Sequence, residues 1–321
     1  MTSPTPTQWP EILTLGEPLI EFNQTTPLGK QYLQGFGGDV STVAIAASRF
    51  GARAGIVTCV GTDHFGDLLI DLWQQEHVDT QFVTRDPNAP TGVYFVSHNE
   101  TGHRFSYLRS GSAACRITPA HLPLAAISSA RWLHVSAISQ AISESSSSTV
   151  SAAMAAARAA GTYISYDPNL RLALWPLDRA RQTIRSTVPL ADLFLPSLED
   201  IVTLSGANTP EHALDWCLEA GARQVVLKLG ARGALAYIDG QKVFIEPEAV
   251  KLVDATGAGD CFAGVLLAGL CAGETMQTAL THANTAAAIA TTGFGAVAPL
   301  PTRHQVLQMP SSQAAESSHV S

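Results

Sequence analysis

The chain has 321 residues and a formal net charge of −8, and 46% of its residues are hydrophobic whereas only 14% are charged. So apolar a chain can bury a large core, which excludes disorder of the whole chain, and its length suits one large α/β domain with an accessory piece. A negative chain without a Lys/Arg block is a poor nucleic-acid binder, so positive charge that holds an anion must be local.

The cysteines and the lengths of the apolar segments indicate the cellular compartment in which the protein works. The five cysteines are Cys59, Cys115, Cys217, Cys261 and Cys271, with no CxxC pair among them. Scattered cysteines of odd number indicate reduced thiols in a cytoplasm and argue against a zinc site or a disulfide framework. No stretch reaches the roughly 18 apolar residues of a membrane helix, and the N-terminus lacks the basic and apolar regions of a secretory signal. We expect a cytoplasmic protein without a membrane or nucleic-acid partner.

Strand, loop and helix alternate through residues 10–307, which we expect to form one domain between flexible tails at 1–9 and 308–321. Such alternation predicts βα units around a mostly parallel sheet that helices cover. The apolar patterns predict a strand at the start of segment 12–22. They also predict strands over the segments 54–61, 130–137, 162–167, 192–197, 223–230, 233–239 and 242–248. They predict helices in the segments 39–52, 64–78, 143–160, 198–206, 258–273 and 275–292.

Residues 91–112 break this rhythm. Two short alternating segments, 92–98 and 103–109, flank a polar turn at 99–102, which is the pattern of a β-hairpin. Side chains alternate across a strand, so Phe105, Tyr107 and Arg109 should share one face. We expect this hairpin and strands near 20–36 to form a small β lid. An exposed edge of the lid could pair with a second copy of the chain, which predicts a homo-oligomer.

The segment 254–260, Asp-Ala-Thr-Gly-Ala-Gly-Asp, carries the strongest chemical signal. Small residues let the backbone approach a ligand, and the helix that follows offers free N–H groups and a positive dipole end. The amides of Gly257, Ala258 and Gly259 would form an anion hole beside Asp260, whose carboxylate could take a proton from an alcohol that attacks a phosphoryl group. By spacing alone, a glycine loop followed by an ordinary N-terminal Asp explains the segment equally well. The sequence lacks GxxxxGK[ST], which excludes a Walker-type kinase.

This loop resembles the DTGAGD signature of the ribokinase family, the phosphofructokinase-B type carbohydrate kinases, and the resemblance extends over residues 12–305. Gly37-Gly38-Asp39 resembles the family's sugar-binding GG motif, residues 61–66 its GxDxxG segment, and residues 228–233 its KxGxxG nucleotide turn. Several motifs in the family's order are much more specific than any one of them. The resemblance implies a three-layer α/β/α domain with a small β lid over the sugar site. It also implies ATP-dependent phosphorylation of a sugar hydroxyl, with Mg²⁺ accompanying ATP.

The family's roles can be carried onto matching positions of this chain. By motif, Asp260 would be the catalytic base, and Gly257, Ala258 and Gly259 would hold the transferring phosphoryl group. The residues on the nucleotide side would be Lys228, Gly230, Arg232, Gly233 and Asn284. For Lys228 the plain alternative is a strand-end lysine, and for Asn284 it is a polar residue on a helix face.

Within the family, one branch fits best. The opening segment and residues 105–109 and 167–171 look like the kinases of 2-keto-3-deoxygluconate, in which two tyrosines and two arginines surround an acidic sugar. The chemistry of these side chains agrees with an acidic substrate. A neutral sugar does not need two guanidinium groups, whereas Arg can bind a carboxylate bidentately. The sugar site would comprise Gly37, Gly38, Thr42, Tyr94, Tyr107, Arg109, Asn169, Arg171 and Asp260. The alternatives are that Arg109 is a solvated surface residue, that Tyr107 only packs against its neighbours and that Asn169 caps a loop.

Two departures from the family's motifs qualify the resemblance. Thr42 stands where many relatives carry the Asn of GGxxxN, so one sugar contact would lose its amide. Ser197 and Asp200 replace the Asn and Glu of the family's NxxE, which is linked to Mg²⁺, and the metal ligands are therefore left unassigned. In some relatives the region after the last long helix, with Gly293 and Gly295 here, helps to hold a monovalent cation. The sequence leaves that role open.

The leading hypothesis is a kinase that transfers the γ-phosphate of ATP to the primary hydroxyl of 2-keto-3-deoxygluconate and gives the 6-phosphate. The alternative keeps the chemistry and takes a neutral sugar or nucleoside, such as fructose or ribose. A non-catalytic, sugar-sensing relative is a third hypothesis, but it would have no need of Asp260. A Rossmann oxidoreductase would need GxGxxG after the first strand, where the sequence is LTLGEPLIEF.

Overall fold

The computed structural model describes residues 9–26, 29–99 and 102–309. Of the tails predicted at 1–9 and 308–321, residues 1–8 and 310–321 lie outside the described residues, as do residues 100 and 101 of the predicted hairpin turn. Trp9 stacks on Phe82, and Gln308 ends a helix, so these two residues belong to the folded part.

Thirteen strands and eleven α-helices occur within these ranges. The strands are β1 (Ile12–Leu15), β2 (Leu19–Gln24), β3 (Tyr32–Gly37), β4 (Ala54–Gly61), β5 (Val83–Asp86), β6 (Val93–Asn99), β7 (Gly102–Leu108), β8 (Trp132–Ser136), β9 (Tyr163–Asp167), β10 (Leu193–Phe194), β11 (Val225–Lys228), β12 (Ala234–Ile238) and β13 (Gln241–Ile245). The helices are α1 (Asp39–Arg49), α2 (His64–Gln75), α3 (Leu124–Ser129), α4 (Ala137–Ala141), α5 (Glu144–Ala160), α6 (Leu177–Thr187), α7 (Leu198–Ser205), α8 (Pro210–Glu219), α9 (Ala258–Cys271), α10 (Met276–Ala290) and α11 (Arg303–Gln308).

The large sheet has nine strands in the order β13-β12-β11-β10-β9-β8-β1-β4-β5. All neighbours from β11 to β5 pair in parallel, and β12 pairs antiparallel with both of its neighbours, β11 and β13. Parallel neighbours need long crossovers, and the helices of these crossovers cover the faces of the sheet. The mostly parallel, covered sheet that the sequence predicts is confirmed.

Two hydrophobic cores lie on opposite faces of this sheet. Successive residues of a strand point to opposite faces, so on β1 Ile12 enters the core under α1, α9 and α10, whereas Leu13 enters the core under α5, α6 and α8. Each fully buried aliphatic side chain of this kind contributes roughly 1.5–3 kcal/mol to stability. The result is the expected three-layer α/β/α arrangement.

A second sheet, called the small sheet below, contains four strands in the order β3-β2-β6-β7. The segment 12–22 therefore supplies two strands to two sheets, because the chain turns at Gly16–Pro18 between β1 and β2. Phe22 and Phe95 stack at 5.2 Å between ring centroids and hold β2 against β6.

The segment that resembles GxDxxG anchors the small sheet. Asp63 begins α2 and accepts a hydrogen bond from Gly66 N at 2.8 Å. Its carboxylate also accepts bonds from the backbone N and the hydroxyl of Thr91, both at 2.8 Å. A Cβ at Gly66 would lie 2.3 Å from the Gly61 carbonyl oxygen, so glycine is required there. These bonds hold the residues before β6 next to the end of β4.

All five cysteines are buried free thiols. In the part of the chain that the structure describes, no helix has the length and apolar character needed to cross a bilayer.

Candidate active site

Polar side chains gather where the parallel strands of the large sheet end. Ser136 ends β8 and stands in register with Asp167 at the end of β9, and Lys228 ends β11. A Cβ at Gly259 would lie 3.2 Å from Lys228 Nζ, so the start of α9 reaches the same edge. In open α/β sheets, ligands bind at this carboxyl edge.

The loop before α9 is held by Asp254. One carboxylate oxygen accepts hydrogen bonds from Thr256 N at 2.9 Å and the Thr256 hydroxyl at 2.7 Å, and the other accepts from Gly295 N at 2.9 Å. Gly257 has φ = +76°, and a Cβ there would lie 2.9 Å from the Ala296 carbonyl oxygen. Backbone conformation and space therefore both require glycine at this position.

This loop leaves two amides for an anion. The Ala258 N–H donates to the Ala255 carbonyl at 3.2 Å, so it is engaged in this conformation. The amides of Gly257 and Gly259 make no hydrogen bond to a described residue. Free N–H groups at a helix N-terminus are suited to phosphate oxygens.

Asp260 lies in the first turn of α9, and its carboxylate makes no hydrogen bond to a described residue. Burial raises its pKa to about 8, and the negative charges of Asp39 and Asp167 act in the same direction. Lys228 and Arg171 oppose this effect. A carboxyl group that titrates near neutral pH and has no protein partner suits a general base.

Lys228 forms a short ion pair with Asp167. Its Nζ lies 2.5 Å from Asp167 Oδ2, and both side chains are largely shielded from solvent. The sequence predicted Lys228 on the nucleotide side, and the structure places its amine beside Gly259.

Asn169 and Arg171 follow β9 in a loop that two carboxylates hold. Asn169 N donates to Asp167 Oδ1 at 2.9 Å, and Leu170 N donates to Asp200 Oδ1 at 3.1 Å. Asn169 has φ = +31°, a conformation that few residues other than glycine adopt. Arg171 is exposed and forms no ion pair with a described residue, although its charge is near enough to lower the pKa values of Asp260 and Asp200.

The two glycines of the GG motif bring the small sheet onto the start of α1. A Cβ at Gly37 would lie 2.5 Å from the Tyr94 hydroxyl, and one at Gly38, where φ = +91°, would lie 2.5 Å from the Glu17 carbonyl oxygen. Thr42 is fully buried in α1 and donates its hydroxyl to Gly38 O at 3.1 Å. Contact between Thr42 and a ligand would therefore need movement, and its predicted role stays a prediction.

The tyrosines of the predicted sugar site lie together. The rings of Tyr94 and Tyr107 are 6.0 Å apart between centroids, and Phe105 stacks on Tyr107 as their shared strand face predicts. The Tyr94 hydroxyl donates a hydrogen bond to the buried carboxylate of Glu21. Burial is the main cause that raises the pKa values of both groups.

Arg109 is buried and its charge is compensated. Its guanidinium pairs with Glu17, and the Ser112 hydroxyl donates to the other oxygen of Glu17 at 2.7 Å. The guanidinium also lies over the Tyr107 ring, 5.5 Å from its centroid. The predicted solvated alternative for Arg109 is therefore wrong. Its predicted contact with a sugar carboxylate stays a prediction, because Glu17 already holds the guanidinium.

Three of the residues predicted for the nucleotide side, Gly230, Arg232 and Gly233, lie in the turn between β11 and β12, whereas Asn284 lies in α10. Gly233 has φ = +81° and a Cβ there would lie 2.0 Å from the Ile245 carbonyl oxygen, while Gly230 has φ = +62° in open space. Arg232 is exposed between them. Asn284 lies at the edge of the core and donates to the Glu246 carbonyl at 2.9 Å, so its amide positions the chain after β13.

Four carboxylates of this region carried no assigned role in the sequence prediction. They are Glu17, Glu21, Asp39 and Asp167, and each is buried. Glu17 and Glu21 interrupt an apolar segment, and Asp167 ends one. An acid inside an apolar strand pattern is the signal that could have identified them, because charged residues are seldom buried without a partner.

Comparisons with known proteins agree with this geometry. A model of the pfkB family of carbohydrate kinases matches residues 10–303. A 2-dehydro-3-deoxygluconokinase of Thermoproteus tenax is 34% identical over 287 residues, which is 87% of this chain and 87% of that protein. A probable fructokinase-2 of Arabidopsis thaliana is 35% identical over 311 residues, or 92% of this chain and 94% of that protein. Among solved structures, a protein of Escherichia coli described as a ribokinase II, in complex with ATP and Mg²⁺, has a TM-score of 0.84 at 28% identity and covers 93% of this chain and 98% of its own.

Proposed function

Because this chain belongs to the pfkB family of carbohydrate kinases, we propose that it transfers the γ-phosphoryl group of ATP to the primary hydroxyl of 2-dehydro-3-deoxygluconate, also called 2-keto-3-deoxygluconate. The product would be the 6-phosphate. The observation that carries the choice of an acid substrate is the exposed guanidinium of Arg171, which has no ion pair with a described residue and lies near Asp260. Such a group can hold the planar carboxylate of a sugar acid bidentately.

In the proposed reaction, the ionised carboxylate of Asp260 takes the proton of the attacking hydroxyl. The hydroxyl oxygen forms a bond to the γ-phosphorus as the bond between that phosphorus and the bridging oxygen of ADP breaks. The amides of Gly257 and Gly259 and the amine of Lys228 stabilise the charge on the transferring group. Tyr94, Tyr107 and the backbone at Gly37–Gly38 would cover the sugar.

Mg²⁺ would enter with ATP and neutralise charge on the β and γ oxygens. Among the described residues, no three His, Cys, Asp or Glu side chains are placed to hold a metal ion. The site therefore fits Mg²⁺ only in its usual form, bound by phosphates, water and one or two carboxylates, and Asp200 is the candidate carboxylate. A monovalent cation near Gly293 and Gly295 stays a prediction.

The test is ADP release with a panel of sugar acids and neutral sugars. We expect wild type to be fastest with 2-dehydro-3-deoxygluconate. Asp260→Asn should lose about 10²–10⁴-fold in kcat, the usual contribution of a general base. Asp71→Asn, which removes an exposed carboxylate from α2, is the matched control and should be unchanged. Activity retained by Asp260→Asn would remove Asp260 as the base, and no turnover with any sugar would favour a sugar-sensing protein.

A kinase of a neutral sugar is the second candidate. Two observations favour it: Glu17 compensates the charge of Arg109, and the fructokinase relative is as similar as the 2-dehydro-3-deoxygluconokinase. Arg171→Ala separates the candidates. If Arg171 binds a carboxylate, kcat/KM for the sugar acid should fall about 10- to 100-fold, as for loss of a charged hydrogen bond, and neutral sugars should be unaffected. An equal loss for both classes would contradict the carboxylate role.

We also propose a cytoplasmic homo-oligomer that associates through the small sheet. Strands β3 and β7 are its two edges, and they expose Leu33 and Leu108. An exposed sheet edge with large apolar side chains can pair with a strand of another chain and bury those side chains. Light scattering that detects only a monomer at micromolar concentration would overturn the oligomer.

A further inference from the structure

We propose that Asp167 is a positioning residue that ties the nucleotide side of the site to its sugar side, with one carboxylate oxygen serving each. The two sides are those of the proposed kinase reaction, on which this inference rests. Asp167 ends β9 and is buried between them.

The first oxygen orients Lys228. Asp167 Oδ2 lies 2.5 Å from Lys228 Nζ, and only 5% of the Asp167 side chain and 14% of the Lys228 side chain are exposed. Lys228 N donates to Pro196 O at 2.8 Å, which holds the end of β11 in place. The amine is thereby directed at Gly259, where the transferring phosphoryl group would bind. An unpaired lysine would lose this direction, because its long side chain has many rotamers.

The second oxygen shapes the sugar-side loop. Asp167 Oδ1 accepts the Asn169 N–H at 2.9 Å, which closes a tight turn over Pro168. This bond helps to hold Asn169 at φ = +31°, a conformation that persists in a non-glycine residue only where its surroundings impose it. The side-chain amide of Asn169 then points toward Asp39 Oδ2, at 3.4 Å, and the chain continues to Arg171.

The surroundings explain why Asp167 needs Lys228. Asp39, Asp200 and Asp260 each have a pKa that the charge of Asp167 helps to raise, so several carboxylates crowd the same space. His134 lies near Asp167 but is buried, and burial lowers its pKa to about 4, so it supplies no positive charge at neutral pH. Lys228 is the cation that pairs directly with Asp167 among the described residues, and removing it would leave Asp167 buried with an uncompensated charge.

Two substitutions at Asp167 separate its oxygens. In Asp167→Asn, the amide oxygen can still accept the Asn169 N–H, but the ion pair with Lys228 is lost. We expect a 10-fold or greater rise in the dissociation constant of a non-hydrolysable MgATP analogue, which keeps the γ-phosphoryl group, and a change of less than twofold for the sugar. Asp167→Ala loses both contacts, so both constants should rise 10-fold or more. Lys228→Met should reproduce the nucleotide effect of Asp167→Asn, and the double variant Asp167→Asn/Lys228→Met should be no worse than either single variant.

Both constants are measured by calorimetry, without turnover, and the melting temperature is recorded for each variant. If the wild type binds the MgATP analogue but phosphorylates no sugar, the proposed function fails, while the nucleotide effect of Asp167→Asn still tests the pairing with Lys228. The inference is overturned if Asp167→Asn weakens both ligands equally. It is also overturned if the variants lower the melting temperature while both constants stay unchanged, as a purely structural role would require. Should Asp167→Ala fail to fold, Asp167→Ser replaces it with the same expectation.

Discussion

Glu17 and Arg109 form a buried ion pair that joins the two sheets. Glu17 follows β1 of the large sheet, Arg109 follows β7 of the small sheet, and Arg109 Nε donates to Glu17 Oε2 at 2.7 Å. Their side chains are 0% and 8% exposed, respectively. Burial raises the pKa of Glu17, while the nearby Arg109 opposes that rise. The pair therefore links the end of β7 in the small sheet to the end of β1 in the large sheet.

Removal of one partner should be strongly destabilising. Arg109→Met leaves the Glu17 carboxylate buried without its cation, and we expect the free energy of unfolding to fall by about 3–5 kcal/mol. Denaturant titration measures this loss. The double variant Arg109→Met/Glu17→Gln should recover part of it, because no uncompensated charge is then buried.

The matched control is the surface pair of Arg179 and Glu144, whose side chains are 51% and 83% exposed. Arg179→Met should change the free energy of unfolding by less than about 1 kcal/mol. A cost for Arg109→Met as small as that of the control would show that the buried pair does not hold the sheets together.

Catalysis should depend on pH through Asp260. The base must be ionised, and burial with the charges of Asp39 and Asp167 raises its pKa, so kcat/KM should fall as the pH drops through a value well above that of an ordinary Asp. Asp39→Asn removes one negative charge and should move the acid limb of the pH profile, where kcat/KM falls, to lower pH by on the order of one pH unit. Asp71→Asn should leave the profile in place. An acid limb that stays fixed or moves to higher pH in Asp39→Asn would contradict the assignment.

Gly257 should be intolerant of a side chain. Gly257→Ala forces a Cβ within 2.9 Å of the Ala296 carbonyl at φ = +76°, so the loop must shift and its amides lose their alignment. We expect a loss of about 10²–10³-fold in kcat, comparable to the loss of an anion-hole donor.

Gly273 provides the control for this substitution. Its φ of +82° is similar, but a Cβ there meets no atom within 4 Å. Gly273→Ala should cost about 1 kcal/mol of stability from backbone strain and leave kcat unchanged. Equal kcat values for the two variants would mean that the shape of the Gly257 loop is not important for catalysis.

Asp63 should stabilise the protein in a pH-dependent manner. Hydrogen bonds from Thr91, Gly66 and Phe65 lower its pKa more than burial raises it, so the folded state favours the ionised carboxylate. The stabilisation is present above the usual pKa of Asp and disappears as the pH falls through the lower pKa of the folded state. Asp63→Ala should therefore cost about 1–2 kcal/mol near neutral pH and progressively less below about pH 4.

The control here is Thr275→Ala, which removes the uncharged cap of α10. Its cost should not vary over the same pH range, because the hydroxyl does not titrate. Unfolding free energies measured at several pH values decide the matter, and a cost for Asp63→Ala that does not depend on pH would contradict the role of its charge.

Local patterns in the sequence predicted much of the fold. The apolar periods located β4, α1, α5 and α10, and the turn residues located the hairpin of β6 and β7, because these signals lie within neighbouring residues. The same holds for the loop at 254–260, where two glycines precede a helix that carries Asp260. Such elements depend on backbone preference and helix-end chemistry, which a short segment encodes.

Tertiary structure alone decided how the charges pair. Glu17 and Arg109 are 92 residues apart, Asp167 and Lys228 are 61 apart, and Asp39 and Asn169 are 130 apart. Asp167 and Lys228 meet because the strand order brings the ends of β9 and β11 to one edge, and Glu17 and Arg109 meet because the two sheets adjoin. Strand order and sheet packing are properties of the whole chain. A buried charge must find a partner, but the sequence does not say which one. The net charge of −8 thus shows that anion binding must be local, whereas the fold determines that Glu17 compensates Arg109 and that Arg171 stays exposed near Asp260.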